Sequence, residues 1–142
     1  MKKIRGSFKF SLFSLLTFCF LFSMISCGGG IDRNEAKAFI GEFFDAIEAE
    51  DYEKAETYLH PDLTDDIRKF FTEVEDAMNI DFRSGIFIER YKGFRYSYYN
   101  SEIDGSAYYL TMDTKVGEQS VTMTVGIVQN DKGYGIYNIN IE

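Results

Sequence analysis

Between residues 32 and 78 apolar side chains recur at steps of three and four; after Gly85 they recur at steps of two. The first period is that of helices with one buried stripe, the second that of half-buried strands. Ala36, Phe39, Ile40, Phe43, Phe44 and Ile47 fall on one face of a first helix, with Lys37, Glu42, Asp45 and Glu48 opposite. Asp32 is its N-cap, and Glu35 three residues on completes an Asx version of the capping box. Asp51 is expected to cap a short second helix over residues 52–59, with Ala55, Tyr58 and Leu59 as its apolar side. His60-Pro61 stops it, because proline disfavours helical geometry in the residue before it. Thr64 is expected to cap a third helix carrying Ile67, Phe70, Phe71, Val74, Ala77 and Met78 at helical spacing.

In the second half Phe94, Tyr96 and Tyr98 alternate with Arg95, Ser97 and Tyr99. After a turn at Asp104-Gly105, Tyr108, Leu110 and Met112 alternate with Tyr109, Thr111 and Asp113. A second turn at 117–119 leads to Val121, Met123, Val125 and Ile127, and a third at 130–133 to Tyr137, Ile139 and Ile141. Four strands joined by short polar turns make an antiparallel meander with one apolar face. Residues 86–89 either add a short strand or extend the first one beyond a bulge at Gly93. Three helices each carrying an oily stripe, followed by such a sheet, predict an α+β domain over residues 33–142 with the helices on one face.

The start of the chain has a different pattern. Lys2, Lys3, Arg5 and Lys9 precede 17 uncharged residues, Phe10 to Ser26, rich in Leu and Phe. That is the n-region and h-region of a secretory signal over residues 1–26, short for a spanning helix of ~20 residues. The stretch ends at Met24-Ile25-Ser26-Cys27-Gly28-Gly29-Gly30, which resembles the lipobox of bacterial lipoproteins. The resemblance implies that Cys27 is lipidated and becomes the new N-terminus, with residues 27–32 as a tether and the cell envelope as the location. Several acyl chains on one Cys hold a protein firmly, whereas a single chain binds only marginally.

Removing the leader changes the charge. Four of 15 basic residues lie before Cys27, which leaves 11 against 23 acidic ones and a net charge of −12. Such a surface argues against nucleic acid as a partner and against unaided adhesion to anionic lipid. Cys19 lies in the leader, so Cys27 remains alone and no internal disulfide forms.

His60 is the only histidine, and reads as a capping or packing residue. With no spare Cys it excludes Cys/His zinc sites, and no cofactor is expected. Glu42, Asp45, Glu48, Glu50, Asp51, Glu53 and Glu56 read as a solvated acidic face, since no Asp-x-Asp-x-Asp-Gly loop is present and no metal site is expected. Arg83, Arg90, Lys92 and Arg95 either receive an anion or guard a sheet edge. Tyr96, Tyr98 and Tyr108 share the parity of core residues and are the candidate cavity-lining, ligand-binding residues; Tyr99 and Tyr109 face the other side. No Asp, Glu or His has the inward parity, Asp113 included, so no catalytic residue is assigned.

The run Phe43-Phe44-Asp45-Ala46-Ile47, then Glu50 to Ala55 and Tyr58 to Leu63, resembles the helical opening of nuclear-transport-factor-two-like domains, the cystatin-like superfamily that includes ketosteroid-isomerase and SnoaL-type enzymes. The resemblance implies a curved sheet whose concave face wraps the first helix and leaves a cone-shaped cavity. The enzymes commonly place a strand between helices two and three, and residues 62–64 leave no room for it. The expected function is a lipid-anchored, non-catalytic binding or protein-interaction module. Its expected partners are the membrane, through Cys27, and an unidentified protein or small molecule; pairing of two copies through the sheet is left open. The alternative is an isomerase or lyase using the cavity.

Overall fold

In the computed structural model, which describes residues 31–142 apart from the side chain of Tyr98, Asp32 Oδ1 accepts the amide protons of Asn34 and Glu35 and starts α1, Arg33–Glu48. The leader and Cys27 lie outside the described residues. The capping carboxylate satisfies two of the amides that any helix start leaves without partners. Ala36, Ile40, Phe43, Phe44, Ala46 and Ile47 of α1 are buried, the stripe that the three/four spacing places on one face.

Asp51 caps α2, Tyr52–Glu56, which stops three residues before the expected end. The chain there leaves helical geometry, because the Tyr58 carbonyl and the His60 amide bond to the sheet instead. Ile136 N donates to Tyr58 O, and His60 N to Ile136 O, both at 2.8 Å. The expectation that no strand fits between the second and third helices is therefore corrected. Leu59 forms a parallel bridge to Ile136, a one-residue fifth member of the sheet. The third helix, α3, spans Ile67–Met78 and is capped by Asp66, not by Thr64. Asp66 Oδ1 reaches the amide of Lys69 at 3.0 Å. Asn79 ends α3 in the left-handed conformation at φ 53°, which Asn tolerates better than most residues.

The strands β1 (Ile86–Asn100), β2 (Gly105–Val116), β3 (Gln119–Asn130) and β4 (Gly133–Ile141) pair antiparallel in chain order. Apolar rungs cross the sheet: Phe94, Leu110, Val125 and Ile139 form one, and Tyr96, Tyr108, Ile127 and Ile136 the next. Together with the helix stripes they make a single core. The protein is thus α+β, with three helices on one face of an antiparallel sheet.

Two details of register differ from the simple alternation. Residues 86–89 belong to β1, whose pairing slips at Glu89, at Lys92, one residue before the expected bulge at Gly93, and again between Ser97 and Asn100. Each slip adds an unpaired residue and reverses the facing, so Ile86, Ile88, Tyr91 and Phe94 all point to the core side. In β4 the extra residue is Tyr137. Ile136 therefore takes the core position expected of Tyr137, whose ring stands edge-on to His60 at 5.8 Å.

Among the described residues no helix is long and apolar enough to cross a membrane.

Candidate functional site

The helix α1 runs antiparallel along β1. Its start lies at Phe94, one turn on Lys37 lies at Tyr91, and at its end Glu48 accepts the Ile86 amide proton at 3.0 Å. Sixteen residues of helix reach about 24 Å. Fifteen residues of strand reach roughly 50 Å if straight. The sheet outruns the helix, and beyond Arg33 its core-side aromatics are left partly uncovered. That mismatch makes the groove.

The groove has two lobes. One, of about 390 Å³, is lined by Ile31, Asp32, Arg33, Phe94, Tyr96 and Tyr108. The other, of about 290 Å³, shares Arg33, Phe94 and Tyr108 and adds Lys37, Tyr91 and Lys92. Both open to solvent, and the Arg33 guanidinium, 3.6 Å above the centre of the Phe94 ring, stands between them. The Lys37 ammonium lies 4.3 Å from the centre of the Tyr91 ring. Among the described residues neither cation meets a carboxylate within 4.0 Å. A cation over a ring face is attracted by the ring quadrupole while its outward N–H groups stay free for an anion.

Tyr108 forms the floor. It is 2% exposed, and its phenolic oxygen is buried with no hydrogen-bond partner among the described residues. Burial pushes its pKa up; the charge of Arg33 opposes this, and Tyr91 and Asp32 add to it. A buried hydroxyl without a partner costs roughly 1–3 kcal/mol.

The tyrosines named from sequence parity are brought together in part. Tyr96 and Tyr108 sit opposite each other on adjacent strands and both line the first lobe. The side chain of Tyr98 lies outside the described residues. Tyr99 is 64% exposed and donates to Asp104 Oδ1 at 2.8 Å, while Tyr109 lies beneath Arg95 on the outer face. Sequence parity placed Phe94 on the inward side with Tyr96 but did not single it out as a groove residue, and it missed Tyr91, whose facing the slip at Lys92 reverses. It also missed Arg33 and Lys37: Arg33, seven residues before Ile40, continues the line of the core stripe, and Lys37 lies at the stripe's edge beside Phe44. The signal that could have found them is length, since a 16-residue helix cannot cover a 15-residue strand.

The remaining candidates stand elsewhere. Arg83 pairs with Asp81, Arg90 and Lys92 with Asp113, and Arg95 stacks on Tyr109, so the four cations do not converge. Arg90 first and Lys92 after it hold the Asp113 carboxyl below the usual carboxylate range. His60 is buried: its Nδ1 accepts the Asp62 amide proton at 3.1 Å, which leaves Nε2–H to donate to Asn130 Oδ1 at 3.0 Å. In the acidic run, Glu42 accepts from Tyr58 and Asp51 from the Lys54 amide. Among the described residues no group of three or more His, Cys, Asp or Glu is placed to hold a metal ion.

No family model, curated protein or solved structure matches the chain.

Proposed function

We propose that this is an exported protein of the bacterial cell envelope, lipid-anchored at Cys27, whose domain is of nuclear-transport-factor-two-like type and acts as a non-catalytic binding module. The layout of helices on one face of the sheet and the rung at Leu59 support the fold assignment. The ligand site is the groove at the start of α1. One observation carries this reading: an open groove floored by Tyr108 and walled by Phe94 and Tyr96 has beside it a cation, Arg33, that among the described residues meets no carboxylate within 4.0 Å. A ligand with a flat or apolar body and an acidic group matches both.

A lyase or isomerase needs a carboxylate or imidazole free to move a proton. The carboxylate in the groove wall, Asp32, holds the first turn of α1 with Oδ1. His60 is engaged at both nitrogens.

Two measurements test the proposal. Cys27→Ser should leave an unlipidated precursor in cell fractions; normal processing and membrane retention would refute the anchor. The anchored protein in nanodiscs of neutral lipid, with ring-labelled tyrosine, should show shifts concentrated at Tyr96 and Tyr108 when small aromatic acids are added. Shifts that are absent, or spread over the outer face, would refute the groove.

A further inference from the structure

We infer that the groove takes a single-chain anionic amphiphile from the membrane that holds the anchor, its acidic head on Arg33 and Lys37 and its apolar body along Phe94, Tyr96 and Tyr108. This deepens the binding reading above and rests on it.

The chemistry of the two walls comes first. Phe94 and Tyr91 leave 51% and 42% of their surface open, which is apolar area that an acyl or ring body can cover. Arg33 and Lys37 lie on that same side, each already seated over a ring and, among the described residues, each without a carboxylate within 4.0 Å. An acidic head can therefore take their remaining N–H groups without breaking an ion pair.

Charge at longer range selects the kind of anion. The described residues hold 11 basic and 23 acidic side chains, so their field repels a free anion beyond the groove. Local cations act within a screening length of about 8 Å. A small anion gains little from such a site, whereas an anion carried by an apolar body gains by burying that body. The two lobes, about 390 and 290 Å³, lie at the small end of the ~300–1,000 Å³ of ligand sites and suit one chain.

Position supplies the source. From Cys27 to Ile31, the first lining residue, there are four residue steps, at most about 14 Å of chain. An acylated Cys27 therefore keeps the mouth of the groove next to the bilayer surface, where such amphiphiles partition.

The test uses the mature lipoprotein in nanodiscs of zwitterionic lipid, with dodecanoic acid bearing a diazirine at its chain end as the probe. Photolabelling should be saturable, should map to the groove aromatics, and should be displaced by dodecanoate but not by its methyl ester, acetate or inorganic phosphate. The double variant Arg33→Gln, Lys37→Gln should raise the half-saturating concentration about tenfold or more; Arg33→Lys should retain labelling. Circular dichroism and thermal melting confirm that the variants are folded. Displacement by the methyl ester as strong as by the acid, displacement by phosphate alone, labelling outside the groove, or an unaffected double variant would each overturn the inference. If aromatic acids still shift Tyr96 and Tyr108 while dodecanoic acid does not label, the amphiphile fails and the groove reading stands. If neither binds, both fail.

Discussion

The Phe94 ring lies nearly parallel to that of Tyr108, with centroids 6.1 Å apart and 20° between the planes. The stack fixes the Tyr108 ring from one side, and the sheet fixes it from the other through the rung Tyr96–Tyr108–Ile127. A ring so held cannot swing its hydroxyl out to water. The oxygen is buried by packing that the hydroxyl itself does nothing to favour.

Removing that hydroxyl is therefore expected to stabilise the ligand-free protein. Tyr108→Phe keeps the ring and its stack and removes a buried group that has no partner, a gain of about 1 kcal/mol. The urea midpoint should rise at unchanged slope. A midpoint that falls would show that the hydroxyl contributes to folding.

Asn130 should behave in the opposite way. Its Oδ1 receives the His60 ring and the amides of Lys132 and Gly133, and its Nδ2 donates to Ile103 O at 2.9 Å. One side chain thus ties the β1–β2 turn, the β3–β4 turn and the link between α2 and α3. Asn130→Ala also leaves the buried His60 Nε2–H without its acceptor. The expected loss is about 2–4 kcal/mol, read as a lower urea midpoint.

What the sequence discloses follows from how local each cause is. The stripe of α1, the caps Asp32 and Asp51 and the three turns of the meander depend on residues within a few positions of one another, and they can be read directly. The end of α2 cannot, because Tyr58 to His60 leave the helix to bond with Ile136, almost eighty residues away. Nor can the facing of Tyr91, which the slip at Lys92 decides, or the insertion of Tyr137 that gives its core place to Ile136. Tyr96 and Tyr108 are legible as inward residues. Their service as groove lining depends on how far α1 reaches, a property of the assembled domain.

Alkaline pH should weaken the fold. Burial, with Glu35 and Asp32 adding to it, pushes the Tyr134 pKa up to about 12. Burial also raises Tyr52 and Tyr108. The unfolded chain releases phenolic protons near pH 10, while the folded one still holds them. The native state then binds more protons, so stability is fully present below pH 10 and falls as pH rises from 10 towards 12. The urea midpoint measured across that range should decline, and Tyr134→Phe should flatten the decline. A midpoint independent of pH there would contradict the assignment.

Gly135 gives the strongest structural prediction. Its own conformation is one that other residues adopt, so the reason for glycine is space. A Cβ there would sit 2.5 Å from His60 N, 2.6 Å from Leu59 C and 2.7 Å from His60 Cα. All three are backbone atoms, and none can rotate aside as a side chain would. The same segment makes the two 2.8 Å hydrogen bonds with Ile136 that hold the link between α2 and α3 against β4. Gly135→Ala must push that link outward, at a cost of about 1–3 kcal/mol. Hydrogen exchange should quicken first at the His60 and Ile136 amides. Gly41→Ala is the control: on α1, with nothing within 4 Å of the new methyl group, it should stabilise the domain by up to about 1 kcal/mol. Equal effects of the two substitutions would mean that the approach of Leu59 and His60 to β4 is looser than these contacts require.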